Sequence, residues 1–203
     1  MSEKALKKLN EIFSKVKITR EILHSEISTE EDIFELESRL NLRFPEGYKE
    51  FCRFFGSGYF GKDWICIDVP KRGSLEKHLR SNHEIIDAYK MGIEDDLDAE
   101  DSEKSALISL LERSWIFGFG NQTLFLFSQE NSEEQDPGCK IYAFNYDLNL
   151  YDLGQNFFDF LRGFCLGDGM ARGFSQLISS MVPLDQTIDQ IRVKTFTPLY
   201  SRG

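Results

Sequence analysis

The sequence predicts an α+β domain: a mostly antiparallel sheet with N-terminal helices packed on it, a helix closing the far side, and a C-terminal extension. Three observations carry this expectation. Apolar residues recur at helical spacing through much of the first ninety positions. Three aromatic and β-branched segments follow one another between residues 115 and 146. A capped aromatic helix comes next, before a break at Gly167-Asp168-Gly169. At 203 residues the chain suits one domain with some extension and is short for two.

The elements follow in order. Residues 3–16 read as an amphipathic helix with Leu6, Leu9, Phe13 and Val16 on one stripe. A second helix starts at Ser28, where "STEE" sets Glu31 three residues after a serine cap, and Ile33, Leu36 and Leu40 follow at helical spacing. The stretch "NLRFPEGYKEFCRFFGSGYF" (41–60) then packs seven aromatic rings into twenty positions. Pro45 suits the first turn of a helix. Tyr48, Phe51, Cys52 and Phe55 make one buried stripe, and Gly56 is placed to end the helix in a left-handed conformation. The rings read as core rather than as a ligand platform. "DWICIDV" (63–69) reads as a strand. Residues 74–90 read as a helix capped by Ser74, with Leu75, Leu79, Ile86 and Tyr89 inward. An acidic loop precedes a short helix near 104–112. "WIFGFG" (115–120), "TLFLFS" (123–128) and "KIYAFNY" (140–146) read as strands, with Pro137 and Gly138 supplying a turn. Asn156 caps a helix through "FFDFLRGFCL".

Net charge is −10, and its distribution is uneven. Residues 94–103 carry seven acids and no base, and residues 130–136 carry four more acids; the rest of the chain holds 23 acids against 24 bases. Such segments repel phosphate backbones, so direct nucleic-acid binding is not expected. The start, "MSEKALKKLNEIFSKVK", has no apolar core of a signal peptide, and no apolar run approaches a membrane span. The four cysteines lack CxxC spacing, which argues against disulfide and zinc frameworks. Together these features read as a reduced, cytoplasmic protein.

No catalytic set assembles from the residues. His78 and His83 are five apart on one predicted helix and do not share a face, so a metal site from them is not expected; surface positions are the alternative for the histidines. Cys52, Cys66 and Cys165 read as core, and Cys139 as more exposed beside a turn with no evident base. Gly118-Phe119-Gly120 and Gly56-Ser57-Gly58 lack the remaining signature of a nucleotide loop and read as turns. The 94–103 run has no glycine at the sixth position of a calcium loop. It reads either as a solvated loop or as a docking surface for a basic partner.

The order of these pieces resembles the SUKH superfamily, founded on the fungal Smi/Knr proteins. Glu37 and Leu40 match its first helix, Phe44-Pro45 stands where the family has Leu-Pro, and Tyr48 and Phe51 match its ring positions. Gly56 to Gly58 match its turn, and Trp64 falls in the strand that follows. "WIFGFGNQTLFLFS", "KIYAFNYD" and "NFFDFLRGF" resemble its later strands and closing helix, with Gly120-Asn121-Gln122 replacing the usual Gly-Asp. The resemblance spans residues 28–166. It divides the chain into an N-terminal helical extension (1–27), the SUKH-like domain (28–166), and a C-terminal extension (167–203) packed on the domain or trailing from it.

The resemblance implies a protein-binding domain without catalysis or cofactor. Bacterial members are largely immunity proteins that neutralise toxins, many of them nucleases, and fungal members are regulatory scaffolds in cell-wall signalling. The expectation is an immunity protein that blocks a toxin domain with a basic surface; a scaffold for cellular proteins is the alternative, and an enzyme the third. The expected partner-binding residues are Glu94, Asp95, Asp96, Asp98, Glu100, Asp101, Glu103, Glu133 and Glu134. The motif residues Phe44, Pro45, Tyr48, Phe51, Gly56, Gly58 and Trp64 are expected to be structural.

Overall fold

The computed structural model describes residues 3–23, 27–61, 64–96, 98–120, 122–129, 139–145, 147–166, 177 and 194–199. In chain order these form α1 (Glu3–Phe13), β1 (Lys17–Ile18), α2 (Glu30–Leu40), α3 (Tyr48–Phe54), β2 (Gly58–Phe60) and β3 (Ile65–Ile67). Then come α4 (Leu75–Asp95), α5 (Asp101–Glu112), β4 (Ser114–Gly120), β5 (Thr123–Gln129), β6 (Cys139–Asn145), β7 (Leu150–Asp152), α6 (Phe157–Phe160) and β8 (Thr195–Pro198). The strands join in the order β1-β8-β2-β3-β4-β5-β6-β7. Every pairing is antiparallel except β1 with β8.

The sheet separates two cores because its strand residues alternate between faces. Trp115, Phe117, Phe125, Phe127, Ile141 and Ala143 face the larger core, shared with Ile12 of α1, Ile33 and Leu36 of α2, Tyr48, Phe51 and Cys52 of α3, and the rings of α6. Ile116, Leu124, Leu126 and Phe144 face the other way, against Ile86 and Ile93 of α4 and Leu111 of α5. The result is an α+β fold whose far face is closed by α4 and α5. Between Ile116 and Gly118 the β4–β5 register shifts, so Gly118 to Gly120 continue a strand; the turn expected there is corrected to a bulged β-strand.

The local chemistry explains most element ends. The second helix is capped by Thr29, one residue later than Ser28. The Thr29 hydroxyl accepts from the Asp32 N–H (3.1 Å), and Asp32 accepts from the Thr29 N–H (2.8 Å), a reciprocal box with Asp32 in the role expected of Glu31. Ser28 is instead buried and donates to the Pro70 carbonyl at 2.5 Å. Pro45 lies ahead of α3 rather than in its first turn; its carbonyl accepts from the Tyr48 N–H at 3.2 Å, and Gly47 is the cap. Gly56 takes φ +66° just past the helix, the left-handed ending that its position predicted. Gly58 is not in a turn but opens β2.

Helix α4 runs to Asp95, five residues beyond its expected end, and α5 begins at Asp101. The Ser74 hydroxyl bonds the Lys71 carbonyl and makes no side-chain cap. Asn156 caps α6 through its Oδ1, which accepts from the Phe158 N–H at 2.8 Å, and a π-helical turn over Leu161–Cys165 continues it. The side chains of Leu6 and Leu9 lie outside the described residues. So do His24 and the acidic segment 130–136.

Candidate functional site

The family-like residues build the interior. Tyr48 and Phe51 are fully buried. Tyr48 meets Phe44, Phe127 and Phe157 edge-on at centroid distances of 4.9, 4.7 and 5.2 Å, and its hydroxyl donates to the Asp68 carbonyl at 2.9 Å. Pro45 is buried, and Trp64 stacks on Phe164 at 6.1 Å. The Glu37 carboxylate accepts from the Phe44 N–H and from the Lys49 ammonium, each at 2.7 Å, which ties α2 to the chain entering α3. A ligand platform of rings is not formed here, because the stripe faces the sheet.

The acids at 94–103 are placed differently from the loop expected of them. Glu94 and Asp95 complete α4, Asp96 is its C-cap, Asp98 and Glu100 lie in the connection, and Asp101 and Glu103 open α5. The two ends carry opposite electrostatics. Carboxylates in the first turn of α5 complement the positive end of that helix, whereas those in the last turn of α4 add to its negative end. No basic residue occupies that last turn. The Lys104 ammonium reaches the Glu94 carbonyl at 3.2 Å, and the Asp98 N–H donates to Asp96 Oδ1 at 2.9 Å. Glu133 and Glu134 lie outside the described residues.

Behind this end lies a cleft of about 400 Å³. It is lined by Ala88, Tyr89, Gly92 and Leu148 together with Asp95, Asp96 and Asp147. Tyr89 packs on Phe144 at 5.4 Å, which fixes α4 over β6 and brings the turn after β6 to the helix. Asp147 and Leu148 were not expected in a site. Their distance in sequence hid them, and only the position of α4 over β6 joins them to Asp95 and Asp96.

Other polar constellations are structural in their geometry. Ser57 Oγ donates to Asp68 Oδ1 at 2.6 Å, and His78 Nε2 lies 3.4 Å from Asp68 Oδ2. A nucleophile relay needs the hydroxyl on the imidazole, with the carboxylate behind it. Here both converge on the carboxylate, and Ser57 Oγ also accepts from the Val69 N–H at 3.0 Å. All four cysteines are buried and outside any disulfide, including Cys139, which was expected to be more exposed; as the first residue of β6 it pairs with Gln129 of β5. Burial pushes the Cys52 and Cys165 thiols well up, away from the thiolate a nucleophile requires. Among the described residues no group of three or more His, Cys, Asp and Glu side chains is placed to hold a metal. Nor is any helix among them long and apolar enough to cross a membrane.

Comparison with known families gives a match. Residues 27–163 fit the family model described as SMI1 / KNR4 family (SUKH-1). No curated protein matches the chain.

Proposed function

The chain belongs to the SMI1 / KNR4 family (SUKH-1), and from that premise we propose a non-catalytic protein-binding domain: an immunity protein that neutralises a basic toxin stoichiometrically. The observation that carries the reading is the acidic end formed by α4 and α5. Seven acids gather there, two of them in the last turn of a helix whose own terminus is already negative. Like-signed charge at a helix end disfavours the helix. Carboxylates such as Glu94 and Asp95, which do not help their helix, are suited to an opposite charge on another molecule, where they speed encounter and fix orientation. Toxins that cut nucleic acid need basic clefts to approach phosphates, and an acidic surface can fill such a cleft by mimicking backbone charge.

The test is the association rate with the purified product of a toxin-like reading frame found beside this gene; the absence of such a frame favours a scaffold. Replacing Asp95, Asp96, Asp98 and Asp101 with Asn should slow association at low salt about tenfold or more and flatten its salt dependence, since steering by charge accounts for factors of ~10–10³. The melting temperature should stay close to that of the parent. Unchanged association at low salt sinks the role of this end. Binding to cellular proteins and to no toxin turns the reading to a regulatory scaffold.

A further inference from the structure

We propose that the cleft between the C-terminal half of α4 and the β6–β7 turn receives one cationic side chain, a lysine or arginine projected by a partner protein. The proposal rests on the protein-binding reading above and names the chemistry of the anchor. It starts from shape. The cleft offers about 400 Å³ and is lined by Ala88, Tyr89, Gly92 and Leu148 together with Asp95, Asp96 and Asp147. A group lying in it meets apolar surface and negative charge side by side. Lysine and arginine have that construction, with a run of methylenes beneath a charged head.

Other occupants fit less well. A phosphate or carboxylate meets three like charges. A wholly apolar side chain would take water from the carboxylates without replacing its hydrogen bonds. A bare divalent ion needs carboxylates gathered at bonding distance, and no such group of three or more is present among the described residues. The rim carboxylates make no ion pair among the described residues. The nearby Lys90 is engaged elsewhere, with Glu112 at 2.6 Å.

Gly92 is the second observation. It lies within α4, where glycine weakens a helix relative to alanine. Usually a neighbour that leaves no room for a side chain explains such a residue. Here a Cβ would meet no atom within 4 Å. Packing does not require the glycine, whereas leaving that part of the exposed cleft lining open does.

The experiment titrates the labelled full chain, followed by backbone amide NMR shifts, with acetyl-Gly-Lys-Gly-amide and its arginine counterpart. Acetyl-Gly-norleucine-Gly-amide supplies the stem without charge, and ammonium the charge without stem. The basic peptides should shift amides of residues 88–96 and 147–148, and both controls should bind about tenfold more weakly or less. Gly92→Leu adds a side chain to the cleft lining and improves the helix, so it should abolish these shifts while melting at or above the parent temperature. Asp147→Asn should weaken them from the opposite wall. Shifts spread evenly over residues 98–103 and unchanged in Gly92→Leu overturn the proposal, as does the absence of shifts at 88–96. Because no toxin enters this titration, its failure is distinct from failure of the wider reading, which is decided by association with the toxin itself.

Discussion

Tyr48 and Phe51 show how much a single ring holds in this molecule. Phe51 is fully buried, stacks with Phe55 at 5.3 Å, and meets Phe157 and Phe196 edge-on at 5.5 and 5.7 Å. It thus joins α3 to α6 and to the distant strand β8. Phe51→Ala should cost about 3–5 kcal/mol, the range for a buried ring, against a typical total of ~5–15 kcal/mol. Chemical denaturation checks this; a loss below about 1 kcal/mol would mean the ring is not a core residue. The buried thiols predict a pH effect. Burial raises Cys52 and Cys165 in the folded state, so the folded chain keeps protons that the unfolded chain loses. Their contribution is fully present below the unfolded thiol value of ~8.5 and is lost as pH rises from there toward the folded values. The slope should approach ~1.4 kcal/mol per pH unit for each thiol. Denaturant midpoints that stay flat from about pH 8.5 to 10 would contradict it.

At the scale of elements, caps and close approaches make the most specific predictions. Thr29→Ala removes the oxygen that accepts from the Asp32 N–H and should cost about 1 kcal/mol; no loss would mean the box does not hold α2. Gly58 permits β8 to pair, because a Cβ there would lie 2.3 Å from the Phe196 ring. Gly58→Ala should therefore displace Phe196 and speed amide exchange of residues 195–198 well before the rest of the sheet opens. Uniform exchange across the sheet would contradict that. These elements also show what was legible in the sequence. The strands near 115–120, 123–128 and 140–146 were plain because their apolar runs are long and bounded by turn residues. The Asn156 cap was plain because Asn before an aromatic run has one common use. Strands β1, β7 and β8 span two to four residues and carry no periodicity, since their pairing is decided by partners far away in sequence. Capping one residue early at Ser28 was a local ambiguity: Ser28 and Thr29 both offer a hydroxyl, and burial against Pro70 took the first. The acids at 94 and 95 suggested a loop, but Ile93, fully buried against the sheet, holds α4 helical past them.

For the whole molecule, the sheet and its two cores support a surface that is uneven in charge. Most of the described aromatic residues lie inside, with Phe34, Phe54 and Phe119 exposed, and the seven acids of residues 94–103 gather at the α4–α5 end, where Asp147 joins them from the β6–β7 turn. The acidity was legible in composition; the cleft behind it was not, because it is made by helix α4 lying across β6. The central claim is that this surface blocks a partner by occupancy alone. An interface of that kind typically buries ~1,200–2,000 Å² and needs neither turnover nor added metal. The most direct measurement titrates a fixed amount of purified partner toxin with this protein, with chelator present throughout, and follows residual toxin activity. A linear loss ending at an integral molar ratio is the predicted result. Time-dependent inactivation at sub-stoichiometric ratios, abolished by Cys139→Ala or by the chelator, would contradict it.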